Sequence, residues 1–211
     1  MLINLIEPHI KQREILDAVM DPSVFCTVSV IGRQFGKTLL AENLAIYWAI
    51  NDPGCTVFFV SPTDNQNQRI CRDITEAVIG SGCIKSKKMP RGGAEIIFTN
   101  GSKILFRSAA QEDSLRGQPV EYMIIDEAAF IKRETIEGVL LPMLSVMGKK
   151  MYISSTPKSK NWLYDWFLRG KTDKNYKSFR FSTYDSPYAN KDMIQAFKDT
   201  LPDKLFKQEI E

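Results

Sequence analysis

Residues 30–40 read Val-Ile-Gly-Arg-Gln-Phe-Gly-Lys-Thr-Leu-Leu, between an apolar, β-branched run at 24–31 and a helix-forming run at 39–50. A strand, a Gly-containing loop ending in Gly36-Lys37-Thr38 and then a helix is the arrangement of a phosphate-binding loop. The first backbone N–H groups of a helix have no partner within it, and the helix dipole adds partial positive charge there, so phosphate oxygens suit that end. Lys37 adds a full charge for β- and γ-phosphates, and the Thr38 hydroxyl can ligate Mg²⁺. The usual pattern, G-x-x-x-x-G-K-[ST], places its first glycine at position 31. That position is Ile31, and Gly32 comes one residue later. Gly-Lys-Thr alone also occurs in ordinary exposed turns, so a second site has to corroborate it.

Tyr122-Met123-Ile124-Ile125-Asp126-Glu127 supplies one. An apolar strand ending in two carboxylates puts both at the carboxyl edge of a sheet, where ligands bind in open α/β folds. Asp126 there can hold Mg²⁺, directly or through water, and Glu127 can polarise the water that attacks a γ-phosphate. After the next strand comes Ser154-Ser155-Thr156-Pro157. Its hydroxyls can bind the attacking water or the γ-phosphate, or can cap a helix starting near Lys158. Gln12, upstream of the loop, carries an amide able to read an adenine edge, although a lone glutamine is more commonly a surface residue. Two arginines are candidates for neutralising transition-state charge: Arg33 inside the loop, and Arg116 within Ser114-Leu115-Arg116-Gly117-Gln118. Their plainer alternatives are a structural ion pair for Arg33 and a solvated loop charge for Arg116.

The bulk properties agree with an α/β enzyme. The chain has 211 residues, 44% of them hydrophobic, with a net charge of +3. This suits one domain with an appendage and permits nucleic-acid contact without arguing for it. No apolar run is long enough for a membrane span, and the N-terminus has no signal-peptide pattern, so a soluble intracellular protein is expected. Cys26, Cys55, Cys71 and Cys83 form no C-x-x-C pair, which points to reduced thiols and away from zinc or a disulfide framework.

Along the chain we expect a helix at 7–20 with Ile10, Ile15 and Val19 on its apolar face, then the strand, loop and helix to residue 50. A strand at 55–60 and a polar helix from 61–64 to about 79 follow. Residues 80–93 read as an exposed loop, and 94–106 as a hairpin in which Asn100-Gly101 suits a type I′ turn. A strand at 121–125, a helix over 132–146 ended or kinked by Pro142, a strand at 150–154 and a helix containing Trp162 and Trp166 complete the core. The alternation of strands and helices argues for a mostly parallel sheet flanked by helices. Residues 1–169 are read as the core. Residues 170–211, with a strand at 177–182 and two short helices, are read as a small lid or linker subdomain.

Together these pieces resemble the ATPase domain of the large terminase subunit of tailed bacteriophages. The resemblance spans nearly the whole chain. It is carried by Gly32-Arg33-Gln34-Phe35-Gly36-Lys37-Thr38, by Leu115-Arg116-Gly117 with Met123-Ile124-Ile125-Asp126-Glu127-Ala128-Ala129-Phe130, and by Ser154-Ser155-Thr156-Pro157 with Trp162-Leu163-Tyr164-Asp165. That family's phosphate loop is deviant, with Arg-Gln before x-Gly-Lys-Thr, so the missing glycine counts toward it.

The resemblance implies a P-loop NTPase of the RecA-like (ASCE) type that hydrolyses ATP with Mg²⁺ to move double-stranded DNA into a procapsid. Residues 32–38 would bind nucleotide, Thr38 and Asp126 the metal, and Glu127 would be the catalytic carboxylate. Residues 154–156 would couple hydrolysis to movement, and Gln12 would sense adenine. Arg33 would act in cis or Arg116 on a neighbouring subunit. Implied partners are the portal protein, the small terminase subunit and further copies in a ring (a pentamer on the procapsid), in the cytoplasm of the infected host cell, with the isolated fragment monomeric. The family's C-terminal nuclease domain would begin near Glu211, so no nuclease activity is expected within these residues. A nucleic-acid-stimulated, helicase-like ATPase and a non-hydrolysing nucleotide-dependent scaffold are the alternative readings. The basic residues Lys85, Lys87, Lys88, Arg91, Lys158 and Lys160 are read first as solvated and second as DNA phosphate contacts.

Overall fold

The computed structural model describes residues 5–90, 93–111, 115, 117, 119–158 and 161–210. Eight strands form one sheet in the order β3-β4-β5-β2-β6-β7-β1-β8. They are β1 (Cys26–Ile31), β2 (Thr56–Ser61), β3 (Ile84–Lys88), β4 (Ala94–Phe98), β5 (Lys103–Ser108), β6 (Tyr122–Ile125), β7 (Lys150–Ser155) and β8 (Tyr176–Phe181). From β5 to β8 every pairing is parallel, while β3-β4 and β4-β5 are antiparallel. The central strands β2 and β6 are buried along their whole length, because helices cover both faces.

On one face lie α1 (Ile10–Met20), α2 (Lys37–Asn51) and α3 (Asp64–Val78), whose apolar residues join Phe59, Ile124 and Tyr152 in one core. On the other face α4 (Trp162–Thr172) and the helical segment from Arg133 to Met143 pack Trp162, Trp166, Ile136 and Leu140 against Val28, Met123 and Ile153. Between Ile136 and Leu140 this segment widens to a π-helix, with Leu141 N–H bonded to the Ile136 carbonyl, just before Pro142. The wider turn relieves the clash a proline ring makes with the carbonyl four residues back.

Four local expectations are corrected. Ile10 is 77% exposed, and the inward face of α1 is instead Gln12, Ile15 and Val19, the spacing of one helical stripe. Residues 84–88, expected in a loop, form the edge strand β3. Its exposed lysines Lys85, Lys87 and Lys88 are the kind of charge that keeps an edge from pairing with other chains. The β4–β5 hairpin forms, but of Asn100 and Gly101 only Gly101 has a positive φ. With Gly101 N–H bonded to the Phe98 carbonyl and Phe98 N–H to the Ser102 carbonyl, the loop is a three-residue turn with a glycine bulge and not a type I′ turn. Finally, the strand expected inside a separate lid is β8, which runs parallel to β1 in the main sheet. The sheet therefore continues past residue 170. A separate small cluster (Ile194, Phe206, Ile210) forms only beyond it, around α5 (Lys191–Thr200) and α6 (Asp203–Glu209).

Candidate active site

The carboxyl ends of β1, β6, β7 and β2 lie side by side, and four segments meet there. The first is the loop between β1 and α2. Gly36 caps α2 with φ 96°, a left-handed conformation, and a Cβ on it would sit 2.6 Å from Gln12 Nε2. Gln34 is also left-handed, at φ 57°. Lys37, only 6% exposed, donates from Nζ to the Gly32 carbonyl at 3.0 Å. Burial pulls its ammonium below the usual lysine range, with Glu127 and Asp126 opposing.

The second and third segments are the acidic end of β6 and the hydroxyl run ending β7. Pairing of Ile125 with Ile153 puts Asp126 beside Ser154. Asp126 is buried, and both carboxylate oxygens accept hydroxyl hydrogen bonds, Oδ1 from Ser154 at 2.7 Å and Oδ2 from Thr38 at 2.8 Å. Ser155 Oγ accepts from the Ala129 N–H at 3.1 Å. Thr156 donates to Glu127 Oε2 from both its N–H and its Oγ1, each at 3.3 Å. Each residue of the run thus holds a different part of the acidic loop. Glu127 itself stands in the left-handed region at φ 51°, ψ 42°, backbone strain of a kind that neighbouring bonds must maintain. The helix-cap alternative for Ser154–Thr156 does not apply, since α4 is capped by Asn161, whose side chain accepts from Leu163 N–H.

The residues present fit a magnesium ion. A buried carboxylate and a hydroxyl 2.8 Å apart are the hard oxygen ligands it prefers, with nucleotide phosphates and water completing the shell. Deeper in the same region, burial and the nearby Asp73 and Asp126 carboxylates push the Glu42 carboxyl up to about 8.

A fourth segment arrives from the far end of the chain. Gly32 N–H bonds to the Phe181 carbonyl, Arg33 N–H to the Glu209 carbonyl at 2.7 Å, and Thr183 Oγ1 to the Arg33 carbonyl at 2.8 Å. The Arg33 guanidinium forms an ion pair with the Glu209 carboxylate. A Cβ on Gly32 would lie 2.5 Å from the Ile210 carbonyl oxygen and 2.7 Å from Thr183 N. Gly32 is thus required by the C-terminal segment that presses on the loop, whatever phosphate it meets.

A cavity of about 740 Å³ opens over these segments. Of the residues singled out from sequence, Arg33, Gln34, Gly36, Lys37, Thr38, Glu127 and Thr156 line it. Asp126, Ser154 and Ser155 lie buried behind its wall. Three others are turned elsewhere. Phe35 stacks on Phe181 and meets the His9 ring edge-on in the core. Gly32 faces the C-terminal segment. Gln12 is buried beneath the loop, donating to the Gly36 carbonyl at 3.1 Å and accepting from His9 N–H. Arg116, with Arg91 and Lys160, lies outside the described residues. Sequence reasoning missed the far wall, made of Pro62, Thr63, Gln66, Arg69 and Phe130, and also missed Thr183 and Glu209. The Thr63-x-x-Gln66 capping box was a readable signal for the start of α3, but only the sheet order reveals that this helix fronts the cavity.

Comparison with known proteins fits this geometry. Residues 28–210 match the family described as terminase large subunit, T4likevirus-type, N-terminal. The large terminase subunit of Escherichia phage T5 is 27% identical over 210 residues, covering 98% of this chain and 48% of its own length. That of Thermus phage G20c is 26% identical over 216 residues, with 86% and 44% covered, so the chain spans about half the length of these curated relatives. Among solved structures, the large terminase ATPase domain of Thermus phage P74-26 superposes with a TM-score of 0.81 at 25% identity, covering 97% of this chain and 92% of that one. The match over residues 28–210 places the chain in the terminase large subunit family, in the N-terminal region that carries the ATPase fold.

Proposed function

We propose that this chain is an ATP-hydrolysing motor domain that drives double-stranded DNA into a viral procapsid. The observation that carries the reading is the continuous chain of side-chain bonds Thr38–Asp126–Ser154, flanked by Thr156–Glu127. It joins the phosphate loop, the metal carboxylate, the general-base carboxylate and the hydroxyl run into one unit.

In this reading the α2 N-terminus and Lys37 bind the β- and γ-phosphates, Lys37 exchanging the Gly32 carbonyl for phosphate oxygens. Thr38 and Asp126 hold Mg²⁺, which neutralises phosphate charge when bound. Glu127 accepts a hydrogen bond from the attacking water and orients it, while Thr156 fixes the carboxylate. Arg33 is the cis candidate for transition-state charge, once it leaves Glu209. Arg116 is the candidate for action on a neighbouring subunit. Gln12 supports the loop from below. A second cavity, about 690 Å³ and lined by His9, Arg13, Tyr184 and Tyr188, adjoins the His9 end of α1 and offers room for the base. Residues beyond β8 act as the lid or linker, in direct contact with the loop through Thr183 and Glu209.

The partners follow from the family: duplex DNA, the portal protein, the small terminase subunit and further copies in a ring, in the host cytoplasm. Nuclease chemistry is assigned to none of these residues. The test is Glu127→Ala. Phosphate release should fall roughly a hundred- to ten-thousandfold, the scale of a lost general base, while ATP affinity stays within a few-fold. Turnover at the wild-type rate would remove Glu127 from the mechanism.

A further inference from the structure

The cavity wall facing the phosphate loop is built by the first turns of α3, and its chemistry is unassigned. At the helix start Thr63 and Gln66 cap each other. Thr63 Oγ1 accepts from Gln66 N–H at 3.4 Å, and Gln66 Oε1 accepts from Thr63 N–H at 3.1 Å and from Thr63 Oγ1 at 2.9 Å. With its oxygen turned back to the cap, Gln66 presents its NH₂ end outward. Arg69 stands three residues on, on the same helical face, and both side chains line the cavity.

The three cations that line this cavity among the described residues are held very differently. Lys37 is buried and bonded to Gly32, and Arg33 is held by the Glu209 carboxylate and backbone. Arg69 is 60% exposed, and its ion pair is with Asp73 at 4.0 Å, the outer limit of such a contact. Gln66 Nε2 and the Arg69 guanidinium offer only donors, so the wall suits an anion, and the planar guanidinium matches two phosphate oxygens.

Sheet order says which part of a nucleotide this wall meets. β2 lies beside β6, with Val60 paired to Ile125, and Asp126 N–H bonds to the Val60 carbonyl. The loop following β2 therefore borders the acidic end of β6. Glu127 and Thr156 line the same cavity, and the terminal phosphate must lie near Glu127 for its water to be activated. The β-phosphate lies deeper, at the start of α2. We propose that Gln66 and Arg69 form a second anion contact that takes the terminal phosphate of ATP and has nothing to grip in ADP. Release of phosphate would then free the α3 wall from the loop. The proposal rests on the ATPase reading above.

The test is equilibrium binding of ATP-γ-S and ADP to wild type, Arg69→Ala, Arg69→Lys and Gln66→Ala. Arg72→Ala, which removes an equal charge from an exposed position of α3, is the control. Arg69→Ala should weaken ATP-γ-S binding roughly ten- to a hundredfold, the size of lost charge-assisted hydrogen bonds, and leave ADP within about twofold. Arg69→Lys should recover part of the loss, Gln66→Ala should show a smaller loss in the same direction, and Arg72→Ala should change neither. Equal weakening of both nucleotides, or of neither, overturns the proposal. So does an Arg69→Ala protein that binds both normally but loses duplex-DNA affinity with a shallower salt dependence, which would make Arg69 a nucleic-acid contact. A wild-type chain that binds neither nucleotide would instead refute the ATPase reading. If Arg69→Ala fails to give a cooperative thermal melt, the Arg69→Lys and Gln66→Ala ratios decide the question.

Discussion

The phosphate loop is gripped from two sides, and the two grips are made differently. On the β6–β7 side, side chain meets side chain: Thr38 and Ser154 on Asp126, and Thr156 on Glu127, with Asp126 and Ser154 buried. Asp126 and Ser154 stand beside each other where the paired parallel strands β6 and β7 end, so their spacing is set by sheet register, and Thr38 reaches Asp126 from the first turn of α2. On the C-terminal side the loop is held mainly by its backbone: the Gly32 N–H bonds to the Phe181 carbonyl, the Arg33 N–H to the Glu209 carbonyl, and the Arg33 carbonyl accepts from Thr183 Oγ1. Phe181 ends β8, and the other partners follow it, Glu209 in a short unit whose own core is three residues with two partly buried neighbours. A register-fixed grip suits chemistry, which needs atoms held within a fraction of an ångström. A grip from a thinly packed unit suits an element that moves, because such units open at lower free energy than the core.

The largest expected effect breaks the C-terminal grip alone. Gly32 is outside the positive-φ residues, so alanine suits its backbone, and the whole cost is steric. The new Cβ would sit within 2.7 Å of three atoms of Ile210 and Thr183, two of them backbone and unable to rotate away. Gly32→Ala should therefore destabilise by about 1–3 kcal/mol, as overpacking does, lowering Tm by several degrees. Limited proteolysis should cut α5 and α6 faster. Unchanged cleavage with a lowered Tm would mean that the segment stays docked and the core takes the strain.

This contrast also explains what could be read from sequence. Gly36-Lys37-Thr38, Asp126-Glu127 and Ser154–Thr156 each follow an apolar run that ends in polar residues, and a parallel sheet brings all such ends to one edge. The meeting of these residues at one sheet edge was therefore legible in the sequence. The C-terminal grip was not. Thr183 and Glu209 lie about 150 and 176 residues from Arg33, and backbone bonds leave no trace in residue type. Gly32 reads as a nucleotide-binding glycine one residue out of the usual register, and its close approach to Ile210 and Thr183, at the other end of the chain, is out of sight. The same limit hid β8. Its half-buried pattern and the polar residues around it read as a separate lid, because an edge strand needs only one covered face to join a sheet. Gln12 was visible but its place was not, since nothing in its neighbours says that α1 turns that side chain under Gly36.

The acid-side grip is tested by Ser154→Ala. It removes one of the two hydroxyls on Asp126, leaving Oδ1 buried without that donor. Residues that orient a metal ligand from behind commonly cost ten- to a hundredfold in metal affinity or activity, and roughly that loss is expected here. A Mg²⁺ titration of phosphate release should show the midpoint rising, with nucleotide affinity in the absence of metal nearly unchanged. If kcat falls while the Mg²⁺ midpoint stays put, Ser154 acts on the reacting groups and the metal carboxylate is set by Thr38 alone.

The smallest effect separates charge from backbone within the C-terminal grip. Glu209→Gln removes the ion pair to Arg33 but keeps the Arg33 N–H to Glu209 carbonyl bond and the Thr183 contacts. The arginine side chain is 62% exposed and the glutamate 16%, so the pair is half open to water and contributes about 1 kcal/mol, less in high salt. Tm should fall by only about 1–4 °C at low ionic strength, and by less as salt is raised. The functional sign should be opposite. An Arg33 freed from Glu209 is available to phosphate oxygens in the cavity it already lines, so ATP affinity should rise by a few-fold even as the fold weakens. Loss of stability and loss of affinity together would mean that Glu209 holds Arg33 in its working position. The C-terminal segment would then be part of the nucleotide site itself, and the two grips would differ in construction but not in purpose.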